Sequence, residues 1–183
     1  MSKLPTKIAL IALSLGMSAS ALASDGTINF KGVVSAAACT ISSVAGSSTT
    51  SGTVNFGTVS SNTFGTAGST SSGTPFSIEL KDCAVSSSPS ITFNGAAVTT
   101  AGYTSLFSTD IDGLGIRIGD AANTSAVYSP GESSTNTGFN SLTTGVTHAI
   151  GNFKAWLVDY TGSADHAGTI DTDVTFTIDY TNT

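Results

Sequence analysis

Positive charge is scarce in this chain. Six Lys and Arg stand against twelve Asp and Glu among 183 residues, and the formal net charge is −6. Binding nucleic acid or an anionic lipid surface needs clustered Lys and Arg, so the charge balance excludes both partner classes. Histidine and cysteine are rarer still, at two each. His148 and His166 have no Ser or Cys nucleophile signature beside them, and no Gly-x-Ser-x-Gly elbow occurs. Gly113, Gly115 and Gly119 miss the dinucleotide-binding spacing. Asp110, Asp112, Asp171 and Asp173 fall outside the twelve-residue calcium-loop pattern and read as solvated loop carboxylates. With nucleophile, base and metal patterns all missing, no enzymatic activity, metal or cofactor is expected.

Long apolar runs are also lacking. The clearest one, residues 8–17, is ten residues long and cannot span a bilayer, which takes about 20. Lys3 and Lys7 precede it, and Ala21-Leu22-Ala23 follows with small-x-small spacing. This is the pattern of a cleaved secretory signal over residues 1–23. No later stretch reads as a transmembrane anchor. The remaining 160 residues suit one domain and keep four basic against twelve acidic residues, a net charge of about −8.

An exported chain with one cysteine pair most simply closes one disulfide, here Cys39 to Cys83. A loop of that length contributes about 4 kcal/mol in the chain-entropy picture. CxxC redox spacing is absent, and two cysteines without further Cys or His make a poor zinc site.

What is present is alternation. Phe76, Ile78 and Leu80 alternate before Cys83, and Ile91 and Phe93 open a run closed by Asn94-Gly95. Leu114, Ile116 and Ile118 make a third run. Over 153–160, Phe153, Ala155, Leu157 and Asp159 share one face while Trp156, Val158 and Tyr160 share the other. Val174, Phe176, Ile178 and Tyr180 alternate against Thr175, Thr177 and Asp179. Short strands at this spacing, broken by turn residues and without an amphipathic helix, indicate an all-β antiparallel sandwich. Core packing is the expected role of Phe153, Trp156 and Tyr160. The Ser/Thr/Gly-rich stretches 42–53 and 60–74 read as loops, and no internal repeat stands out.

The segment after the signal, Gly26-Thr27-Ile28-Asn29-Phe30-Lys31-Gly32-Val33-Val34, alternates as well. Ile28, Phe30, Gly32 and Val34 point one way, which gives an apolar face with a glycine notch. Alternation by itself leaves open whether this strand pairs within its own domain or in a groove of another molecule.

Several segments together resemble the pilin subunits of chaperone–usher fimbriae, the type 1 and P pilus group. They are residues 26–34 followed by Cys39, Phe76-Ser77-Ile78-Glu79-Leu80-Lys81-Asp82-Cys83, Gly113-Leu114-Gly115-Ile116-Arg117-Ile118, Phe153-Lys154-Ala155, and Gly168-Thr169-Ile170 with residues 174–180. They stand in the family's order and cover nearly all of residues 25–180. The resemblance implies an incomplete immunoglobulin-like antiparallel sandwich that lacks its final strand and is completed by a donor strand from a neighbouring subunit. It divides the chain into a cleaved signal (1–23), an N-terminal donor-strand extension (24–36) and a pilin domain (37–183). Ile28, Phe30, Gly32 and Val34 would be the donor positions, and Val174, Phe176, Ile178 and Tyr180 would line the C-terminal wall of the groove. The implied partners are identical or related pilins in a head-to-tail polymer, a periplasmic chaperone and an outer-membrane usher. The implied location is the cell-surface fimbria, reached through the periplasm. A major shaft subunit is the expected role, with a minor adaptor or tip adhesin as the alternative; 160 residues leave no room for a separate lectin domain. Tyr180 stands fourth from the end, whereas the family usually places this tyrosine second from the end, where the chaperone holds the carboxylate.

Overall fold

The computed structural model describes residues 39–83, 87–134, 138–139 and 147–182. The expected signal and the leading strand with Ile28, Phe30, Gly32 and Val34 lie outside the described residues.

Eight strands follow one another: β1 (Thr40–Val44), β2 (Thr74–Lys81), β3 (Ser87–Asn94), β4 (Phe107–Ser108), β5 (Leu114–Asp120), β6 (Val127–Tyr128), β7 (Ala149–Asp159) and β8 (Thr175–Asn182). A single 3-10 turn at Ser61–Thr63 is the only helical element among the described residues. One sheet runs β1-β2-β7-β5-β4, with β6 also on β5, and the other pairs β3 with β8. Every pairing is antiparallel. The expected all-β sandwich is what forms.

β7 and β5 are central because both faces of each are largely buried. On the inner face of β7, Phe153, Ala155 and Leu157 join the main core, while Trp156 and Val158 on the outer face join a second cluster with Val98 and Leu106. β5 does the same with unequal faces. Leu114, Ile116 and Ile118 point inward. Outward, Gly115 and Gly119 leave room, and a Cβ at Gly119 would stand 3.1 Å from the Trp156 ring. Between them, the Arg117 guanidinium lies 4.5 Å above the same ring, a cation–π contact. The glycines that fail as a nucleotide motif therefore serve packing.

Phe153 is fully buried and centres an aromatic cluster, with ring centroids 5.4 Å from Phe76 and Phe93 and 5.5 Å from Tyr128. Phe76 stacks on it while Phe93 and Tyr128 meet it edge-on, and such contacts add to the hydrophobic gain of burial. The Tyr128 hydroxyl is held well above its ordinary range by burial and then by the Asp120 carboxylate.

Two expectations need correction. Residues 42–53 are not loop throughout, because 42–44 complete β1. A bulge between Ile41 and Ser43 shifts the register there and breaks the alternation that would have marked a strand. At the far end of the second stretch, Thr74 already belongs to β2.

Candidate functional site

The first and last strands each have a single partner. Among the described residues β1 pairs only with β2, and β8 only with β3. The Cys39–Cys83 disulfide joins the residue before β1 to the second residue after β2. Beyond Val44 the chain turns through Ala45 and Gly46, both at positive φ, and returns along residues 52–59, outside any strand. Val54, Phe56 and Val59 of this stretch are half-buried against the core. No backbone-to-backbone hydrogen bond among the described residues joins residues 52–59 to another segment.

An open groove of about 910 Å³ lies between this stretch and residues 168–176. Its floor is apolar: Ile78 of β2, Leu114, Ile116 and Ile118 of β5, and Ala155 and Leu157 of β7. Ile41 and Val44 flank it on one side, and Ile170, Val174 and Phe176 on the other. Along 171–180 burial alternates strictly. Val174, Phe176, Ile178 and Tyr180 are half-buried, while Thr175, Thr177 and Asp179 are exposed. A row of half-buried apolar side chains beside an unpaired strand edge is a template for an added strand, because the edge supplies main-chain donors and acceptors and the pockets take alternate side chains.

The four wall candidates divide by position. Val174 and Phe176 line the groove directly. Ile178 pairs with Ile91 in the β3–β8 ladder and packs on the core. Tyr180 sits at the disulfide end, where burial raises its hydroxyl's pKa and the Cys39 backbone opposes the rise.

At the opposite end the groove is bounded by Phe64 and His166, whose rings meet edge-on at 5.8 Å. Behind His166 lies Asp159, fully buried. Its Oδ1 accepts the N–H groups of Thr161 (2.8 Å) and Gly162 (2.7 Å), and its Oδ2 accepts that of Gly65 (3.0 Å). Burial by itself would raise this carboxyl, but those three N–H groups and the His166 ring outweigh it and hold the pKa at about 2. The sequence placed Asp159 on the inner face without indicating this anchoring role. The signal available was an acidic residue at an otherwise apolar strand end, followed by Thr-Gly turn chemistry. Asp110, Asp112, Asp171 and Asp173 are all exposed. No group of His, Cys, Asp and Glu among the described residues is arranged to hold a metal ion, and no described helix is long and apolar enough to cross a membrane.

Comparison with known proteins gives this groove a context. The family model described as Fimbrial protein matches residues 28–181. The chain is 32% identical over 168 residues to an uncharacterized fimbrial-like protein, SfmA, of Escherichia coli strain K12, with 87% of each chain covered. Among solved structures, the P pilus rod subunit PapA matches with a TM-score of 0.61 at 19% identity, covering 78% of this chain and 99% of that one. The subunit of a chaperone-usher pilus, solved to explain rod uncoiling, matches with a TM-score of 0.58 at 20% identity, covering 86% and 96%. The two structural likenesses show a shared immunoglobulin-like pilin fold.

Proposed function

The chain belongs to the fimbrial protein family, and from that membership we propose that it is a shaft subunit that polymerises by donating its leading strand to a neighbour. As a chaperone-usher fimbrial subunit it is a structural protein of an extracellular pilus and not an enzyme. The finer reading concerns how the polymer forms.

The single observation that carries this reading is the groove. Its floor is apolar, and one edge of β8 and the backbone of residues 52–59 lack ladder partners among the described residues. Residues 26–34 have the complementary alternation: as a strand they would set Ile28, Phe30 and Val34 on one face, with Gly32 at a shallow point. Burying three such side chains is worth roughly 5–8 kcal/mol before ordering costs. A head-to-tail contact of this kind does not close on itself, so it propagates a filament. In this reading residues 1–23 direct export to the periplasm and are removed. A chaperone strand occupies the groove there, and at the outer-membrane usher the extension 24–36 of the next subunit replaces it.

Deleting residues 24–34 tests the reading. The shortened subunit should fold, with the disulfide closed and its groove able to take a chaperone strand, and should fail to join fibres as a donor. Fibres built from the shortened subunit alone would overturn it.

A further inference from the structure

One wall of the groove and the strand expected to enter it share a period and a length. On the wall, Ile170, Thr172, Val174 and Phe176 are half-buried, and Asp171, Asp173 and Thr175 between them are exposed. All seven line the groove. In the leading segment Ile28, Phe30, Gly32 and Val34 alternate with Asn29, Lys31 and Val33. Matching the four inward positions of each sets Ile28 opposite Phe176 for antiparallel strands and opposite Ile170 for parallel ones. Lys31 is the midpoint of the first set and Asp173 of the second. The two therefore stand opposite each other in either direction, and on the same outer face. We propose that Lys31 of the incoming strand pairs with Asp173 of the receiving copy and fixes the register of the joint. This rests on the donor-strand reading above.

Three features single out this pair. Lys31 is the only basic residue of the segment 24–36. At the wall, negative charge is crowded: Asp171 and Asp173 are exposed on one face, and Oδ2 of Asp110 accepts the Asp171 N–H at 3.2 Å. Among the described residues no Lys or Arg forms an ion pair with any of the three. Thr172, between the two wall aspartates, has a buried hydroxyl oxygen without a hydrogen-bond partner among the described residues. The wall thus lacks both a counter-charge and a polar neighbour where the middle of the strand arrives. Other registers fit worse. A slip of one residue turns the apolar set to solvent. A slip of two sets one of the four opposite exposed Gly168, or opposite Ile178, which lies outside the groove lining. An exposed ion pair is weak, so it chooses the register while the apolar side chains hold the joint.

The test follows fibre growth from monomers of the chain beginning at Ser24, with a synthetic peptide of residues 24–36 in excess, either parent or Lys31→Asp. Against the parent chain, the parent peptide should inhibit at a concentration roughly two- to five-fold lower than the Lys31→Asp peptide. Concentrated salt should narrow that gap, because it screens exposed charges. Against an Asp173→Lys chain the gap should vanish or reverse. Equal potency on the parent chain, a gap indifferent to salt, or one that Asp173→Lys leaves unchanged overturns the pairing while strand donation stands. If neither peptide slows growth, strand donation itself fails and the pairing with it. An Asp173→Asn chain, changed only at an exposed carboxylate, gives a second reading without charge reversal: the gap should close, and its persistence overturns the proposal.

Discussion

Nε2 of His166 lies 3.3 Å from Oδ1 of Asp159, and both side chains are buried. The other ring nitrogen of His166 is 3.1 Å from the Asp112 carbonyl oxygen. Together with the bonds from Gly65, Thr161 and Gly162, this pair fastens the loops after β1 and after β7 to one carboxylate. The segment leading into the groove wall at 168–176 departs directly from that knot.

Replacing Asp159 by Ala should cost about 2–3 kcal/mol, because several N–H donors in this partly buried region lose their acceptor at once. A urea titration of the purified subunit reads this out. An unchanged midpoint would show that the loops hold without the carboxylate.

The same carboxylate sets an acid limit. Its folded pKa of about 2 lies below the ordinary 3.8, so its contribution is complete above pH 4 and is lost as pH falls through 2. Between pH 4 and 2 the parent should lose stability more steeply than Asp159→Asn. Parallel pH profiles of the two unfolding midpoints would contradict this.

Phe153→Ala should destabilise by roughly 3–5 kcal/mol, since it empties the centre of the aromatic cluster and the sheets cannot collapse to fill it. Thermal unfolding followed by near-UV circular dichroism measures the loss. A drop under about 1 kcal/mol would mean that Phe76, Phe93 and Tyr128 repack.

Gly119→Val should cost about 1–3 kcal/mol through overpacking. Its new side chain meets the Trp156 ring on one side and the Ala126 carbonyl on the other. Because Trp156 is the only tryptophan, its fluorescence reports the displacement directly. An unmoved emission spectrum together with unchanged stability would refute the close fit.

Opening Cys39–Cys83 with a double Ser substitution should remove about 4 kcal/mol. Comparison of denaturation midpoints with and without the bridge measures it. Equal midpoints would show that this loop is already restricted in the unfolded chain.

The alternating runs read from the sequence became β2, β3, β5, β7 and β8, because each has at least one strongly apolar face at period two. The two-sided character of β7, with Phe153 inward and Trp156 outward, was legible for the same reason. β4 and β6 were not, since two residues carry no period. Phe139 and Phe64 are buried yet stand alone among turn residues, and Phe107 and Tyr128 sit in apolar runs of two or three residues, too short to show a period. β1 was hidden by its bulge, and the strand order was invisible because it depends on contacts far apart in the chain. The groove followed only from the family resemblance. Its wall at 52–59 was missed because alternation there covers just Val54 and Phe56 before Gly57 ends it.

The sulfur of Cys83 is bonded to Cys39, the point where the described chain gives way to its leading segment. A pull arriving along that segment would therefore be split at Cys39, part passing through the bridge to Cys83 beyond β2 and part along the backbone into β1. The Ser-rich turns between β1 and β2 are bypassed by the bridge. In a thread of such units, tensile load would travel through covalent bonds and the long sheet and leave the small elements undisturbed.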